Sequence, residues 1–208
     1  MSSITPAVPA AGYIGTQVFT ASGTYTPSEN ARLIDIQVTG AGGGGAAGDN
    51  SHHDRGGSGG GGATAIKHGV DVSGIVSATI TVGAGGAGNT GTGDGAAGGD
   101  SAYDDGTTVL TAGGGGGGVN DSTSGTGGDG GVATGGDLNI SGTRGGNASN
   151  NTPGGSSIYG SGGELGVLAN GDDAVIYGTG GGGTNAYSGS DRDGGDGFQG
   201  VVIIREFA

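Results

Sequence analysis

Two kinds of segment alternate along the chain. In Arg32-Leu33-Ile34-Asp35-Ile36-Gln37-Val38-Thr39, the apolar residues Ile34, Ile36 and Val38 recur at every second position. That is the period of a strand buried on one face. The same reading places strands at Ile14 to Thr20, Ala63 to Val72, Ile75 to Val82 and Val201 to Ile204, with Val109-Leu110-Thr111 as a weaker one. No stretch sustains a helical period, and glycine at this density opposes an α-helix, so essentially no α-helix is expected. Between the strands run nearly pure glycine tracts: Gly42 to Gly45, Gly56 to Gly62 (interrupted by Ser58), Gly113 to Gly118 and Gly180 to Gly183.

Glycine accounts for 60 of the 208 residues, yet only three of them precede Gly40 and none follows Gly200. Composition of this kind, with a net charge of −13, is that of a disordered chain or a fibre. The pattern argues otherwise. A flexible linker has no reason to hold Val, Ile and Tyr at its joints. Collagen needs glycine in strict three-residue register and abundant proline, and here there are 4 prolines. The remaining reading is a packed lattice of extended three-residue-per-turn glycine helices. Such a helix has no internal hydrogen bonds, so its N–H and C=O groups must bond a neighbour or water. Glycine on the inward facets lets neighbouring backbones come close enough to bond directly. The strands at both ends would anchor the lattice.

The acidic balance, 19 Asp+Glu against 6 Lys+Arg, disfavours nucleic acid and anionic membranes, which require clustered cations. Cysteine is absent, removing disulfides and thiolate metal sites. No apolar run approaches the ~20 residues of a membrane span, so no membrane insertion is expected. Residues 1–13 carry little charge, contain Pro6 and Pro9, and lack the pattern of a signal peptide. They read as an extended attachment arm ahead of a single domain over residues 14–208.

The order of motifs is distinctive. Val18-Phe19-Thr20-Ala21-Ser22-Gly23-Thr24-Tyr25-Thr26-Pro27 is followed by Ile36-Gln37-Val38-Thr39-Gly40-Ala41-Gly42-Gly43-Gly44-Gly45. Then come Ile80-Thr81-Val82-Gly83-Ala84-Gly85-Gly86-Ala87-Gly88 and Leu110-Thr111-Ala112 before Gly113. The series closes with Gly194-Gly195-Asp196-Gly197-Phe198-Gln199-Gly200-Val201-Val202-Ile203-Ile204. Over residues 18–204 it resembles the glycine-rich domain of bacteriophage tail-fibre and related virion proteins. More distantly, it is similar to the small distal adhesin on the long tail fibres of T-even-like phages. The resemblance implies an all-β fold with polyglycine II helices, framing β-strands at both ends around the lattice, and receptor-binding loops at a tip. It also implies a virion surface location, with residues 1–13 docking on other virion proteins.

Chance matches to G-x-G-x-x-G abound, but none opens a credible helix, so they carry no dinucleotide reading. The carboxylate pairs Asp104-Asp105 and Asp172-Asp173 could hold Ca²⁺, although solvated loop carboxylates explain them as well. His52-His53 beside Asp54 and Arg55 is the densest functional cluster, and His68 is the one further histidine. A metal centre would need more ligands. No nucleophile elbow supports a hydrolase, so neither catalysis, cofactor nor metal is expected. Tyr25 and Tyr103 read as core, and Tyr177, next to Val175-Ile176, reads as buried.

Segments 49–55, 137–153 and 184–193 are polar and poorer in glycine than their flanks, and read as loops. Tyrosine among Ser, Gly and Asn is the composition of a recognition surface, and Tyr and Arg dominate interface hot spots. His52, His53, Arg55, Tyr159, Tyr187 and Arg192 are therefore the expected receptor-binding residues. The expected role is a phage adhesin recognising a host-cell receptor, a protein loop or a glycan, with homo-oligomers compatible with a symmetric virion. A structural decoration or spike protein is the alternative. An ice-binding protein would need flat Thr- or Ala-rich faces, which irregular acidic loops do not supply.

Overall fold

The computed structural model describes residues 12–48, 55–121, 124–150, 152–185 and 191–208. In chain order the strands begin with β1 (Tyr13–Phe19), β2 (Gly23–Tyr25), β3 (Leu33–Thr39), β4 (Arg55–Gly56) and β5 (Thr64–Asp71). Next come β6 (Ala78–Thr81), β7 (Ser101–Asp104), β8 (Val109–Ala112), β9 (Asn120–Asp121) and β10 (Ala133–Thr134). The series ends with β11 (Leu138–Ile140), β12 (Gly166–Val167), β13 (Thr184–Asn185) and β14 (Val201–Phe207). The only helical element among the described residues is a 3-10 turn, Ala148–Asn150.

Two antiparallel sheets pack face to face, with strand orders β1-β14-β3-β5-β11 and β10-β8-β7-β6-β2. Alternation decides what lies between them. Ile34, Ile36 and Val38 of β3 and Val202 and Ile204 of β14 point inward and meet Tyr25, Ile80, Tyr103 and Leu110. All are buried, Tyr25 and Tyr103 completely. Their rings lie 6.3 Å apart.

From this sandwich the chain leaves in glycine segments whose hydrogen bonds repeat every third residue. In 40–48, the N–H groups of Gly40, Gly43 and Ala46 donate to Ala63, Gly60 and Gly57. Those of Ala41, Gly44 and Ala47 donate to Gly99, Ala96 and Gly93, and those of Gly42, Gly45 and Gly48 to Phe198, Gly195 and Arg192. The carbonyls of the same segment accept from Gly115 and Gly118, from Gly86 and Asn89, and from Gly181. A three-residue helix thus bonds neighbours on every facet. Segments 57–63 and 178–183 are enclosed in the same way, the first by 40–48, 113–119, 126–131, 143–146, 155 and 178–181. The fold is all-β with a lattice of polyglycine helices, and the glycine tracts legible in the sequence are its interior.

One segment differs from the loop expected at 137–153. Leu138–Ile140 is an edge strand pairing β5, and Gly142 and Gly145 donate to Gly131 and Gly128. A peripheral lattice helix needs glycine only where it faces a neighbour, so Thr143 and Arg144 fit without breaking it. Tyr177 is half-buried rather than enclosed, with its ring against Phe198.

Candidate functional site

The far end of the lattice carries a third, small sheet in the order β12-β13-β4-β9. At the ~3.1 Å rise of a three-residue helix, the run from Thr39 to Gly48 spans about 28 Å, so this sheet stands well clear of the sandwich. Its register aligns Val167 with Asn185, Asn185 with Arg55, and Arg55 with Asp121. Arg55 is therefore held in a row between an amide and a carboxylate. Arg192 joins the same end through reciprocal backbone bonds with Gly48, each 3.0 Å. Its Nε is buried without a hydrogen-bond partner among the described residues. Asn120 N–H donates to Asp94 Oδ1 at 2.7 Å, and its side-chain amide donates to the Ala47 carbonyl. The 3-10 turn closes the side, where Asn185 Nδ2 reaches the Ala148 carbonyl at 3.4 Å.

Of the residues expected to bind a receptor, Arg55 and Arg192 share this end. His52, His53 and Tyr187 lie outside the described residues. Tyr159 is elsewhere: Gln37 of β3 donates to its hydroxyl, which places it against the outer face of the first sheet. Its ring meets Tyr177 edge-on at 6.2 Å. Burial pushes the Tyr159 hydroxyl above the ordinary tyrosine range, against the opposing pull of bonds with Thr39 and Gln37.

Three of the four carboxylates considered for Ca²⁺, Asp104, Asp105 and Asp173, are engaged by backbone. Asp104 and Asp105 accept from Gly106, Thr107 and Thr108 within their own turn. Asp173 accepts from the Asp196 N–H at 2.7 Å. No group of three or more metal-ligating side chains occurs among the described residues. His68 instead faces Asp35 at 3.0 Å.

Sequence reading missed Glu206, which is 1% exposed. It accepts from Tyr25 Oη at 2.8 Å, Ser28 N–H at 2.9 Å, Ser28 Oγ at 2.6 Å and Gln17 Nε2 at 3.2 Å. The signal was present, because Glu206 continues the inward phase of Val202 and Ile204. Its role is to tie together the ends of the sandwich.

No curated protein matches this chain. Residues 17–206 match the glycine-rich domain family, and that span opens in β1, takes in all three sheets and closes in β14. On the strength of this match the chain belongs to the glycine-rich domain family.

Proposed function

We propose that this protein is a virion surface protein, a phage tail-fibre-type adhesin that recognises a host-cell receptor through the far end of its lattice. The observation that carries this reading is the sheet β12-β13-β4-β9, held at the end of backbone-bonded segments that begin at the sandwich. Such a scaffold costs a receptor little ordering entropy, which favours affinity. Arg55 and Arg192 stand where the segments 49–54 and 186–190 begin or end. Gly12, which follows residues 1–11 in the sequence, lies at the opposite, sandwich end, where its carbonyl accepts from Ala208 N–H at 2.8 Å. That polarity suits mounting on other virion proteins at one end and host contact at the other.

The test is host-cell adsorption of purified protein and of particles carrying Tyr187→Ala with Arg192→Ala. Loss of adsorption by at least ~10-fold, as for paired hot-spot residues, with unchanged folding and particle assembly, is the expected result. Wild-type adsorption by this variant, and by one with residues 49–54 replaced, would replace the adhesin reading with that of a structural decoration protein.

A further inference from the structure

A cavity of about 350 Å³ opens beside β12, lined by Pro153, Ser161, Gly162, Glu164, Leu165 and Val167. This lies within the ~300–1,000 Å³ range of ligand sites. Its walls divide by chemistry. Pro153, Leu165 and Val167 are apolar, and Glu164 is the single charge among the described lining residues. The backbone beneath is fixed by the lattice: Glu164 carbonyl accepts from Asp172 N–H at 3.0 Å, and Gly163 N–H donates to Gly180 at 2.9 Å. The Glu164 side chain is exposed and takes no hydrogen bond or ion pair among the described residues. Lys67 and Arg144 are engaged elsewhere, by Asp137 and Asp129. Just beyond Val167, Leu168 is held at φ 56°, a left-handed conformation rare for leucine. Both Val167 and Leu168 leave about half their surface in solvent, 52% and 51%. An unpaired carboxylate above an apolar wall is complementary to a cation on an aliphatic stem. The net charge of −13 reinforces that preference by raising the local concentration of cations.

We infer that this cavity is an anchoring pocket for a lysine side chain on a protein partner. Its methylene stem would lie along Pro153, Leu165 and Val167, and its ammonium would pair with Glu164. The inference rests on the adhesin reading for the identity of the partner as a host surface protein, but the pocket can be tested without cells.

The experiment is titration of isotope-labelled protein, followed by amide chemical shifts, with the capped peptide acetyl-Gly-Lys-Gly-amide. Acetyl-Gly-norleucine-Gly-amide and glucose serve as neutral controls. The lysine peptide should give saturable shifts confined to residues 161–168 and to Thr152 and Gly154, which flank Pro153. Binding should weaken by ~5-fold in Glu164→Gln, the upper end for a solvent-accessible ion pair, and shifts should be negligible with glucose. Equal binding of the norleucine peptide, shifts with glucose alone, or no shifts at these residues would each overturn the inference. Comparison with adsorption separates the two readings. If Glu164→Gln adsorbs normally while the Tyr187/Arg192 variant does not, the assignment of the pocket to a host surface protein fails and the adhesin reading stands.

Discussion

A glycine in this protein is defined by what its missing side chain would strike. A Cβ on Gly42 would overlap the Thr179 carbonyl, on Gly43 that of Gly116, on Gly44 that of Ala87 and on Gly45 that of Gly182. Gly42 and Gly45, one turn apart, meet the same segment, 179–182, and Gly43 and Gly44 meet two others, so over 42–45 all three facets are closed to a side chain. The peripheral segment 83–88 has neighbours on fewer sides. There Ala84 and Ala87, one turn apart, point to solvent, while Gly83, Gly85, Gly86 and Gly88 meet backbone. Ser58, which interrupts a glycine tract, is fully buried and substitutes for backbone. Its hydroxyl accepts from Gly183 N–H at 3.0 Å and donates to the Thr152 carbonyl at 3.1 Å. Gly115→Val would drive its Cβ into the Gly60 carbonyl, and Gly182→Val into that of Glu164. Because the obstacle is lattice backbone rather than a movable side chain, each should cost about 3 kcal/mol or more. Urea unfolding measures this, and an unchanged midpoint for both variants would contradict the packed lattice.

At the scale of the element, the question is how a lattice ends. An outer helix has N–H groups with no neighbouring backbone to receive them. Carboxylates receive them instead. Asp196 accepts from Gly88 at 2.7 Å, Asp193 from Gly91 at 2.9 Å, and Asp100 from Gly114 at 2.9 Å. Asn147 does the same for Gly127 at 2.9 Å. These three carboxylates thus lie along the rim of the lattice, where an acceptor with no donor of its own is required. Asp196→Ala should lower stability by about 1 kcal/mol, and Asp196→Asn by less because the amide oxygen still accepts. Denaturant midpoints of the two variants check this. Equal losses would mean that the charge, rather than the acceptor, matters.

For the whole molecule, both long terminal strands converge on Glu206. Gln17 of β1, Tyr25 of β2 and Ser28 before β3 all donate to it. Burial alone would raise the Glu206 carboxyl, but the bonds from Ser28, Tyr25 and Gln17 together outweigh it and hold it below its ordinary value of 4.5. The Tyr25 hydroxyl is pushed up, first by burial and then by its bond to Glu206, so it remains a donor. A carboxyl lowered on folding stabilises the protein above its unfolded pKa, and the contribution is lost as pH falls through the folded one. Glu206→Gln should therefore cost ~1–2 kcal/mol at neutral pH, with the gap to wild type closing in acid, where both side chains are neutral. Urea titrations at neutral pH and near pH 3 provide the check, and a gap independent of pH would exclude a charged clasp.

The sequence by itself determined the strands and the material of the lattice. Period-two alternation marks β3 and β6 because one face of each must be dry, and an apolar run marks β14. Long glycine tracts mark 42–45, 56–62 and 180–183 because helices enclosed on every side leave room for almost no Cβ, the buried Ser58 excepted. It left open which helix neighbours which, since backbone bonds between glycines carry no side-chain code. It read Leu138–Ile140 and 142–146 as loop, because an edge strand with exposed side chains and a peripheral helix that needs few glycines lack both patterns, and it was silent on the short strands of the third sheet. Only the tertiary structure brought Arg55, Asp121, Asn185 and Arg192 to one end and set Tyr159 against the sandwich. Sequence distance along a chain that repeatedly reverses direction does not reveal which turns share an end. The cavity beside Glu164 likewise arises from segments joined only by lattice bonds.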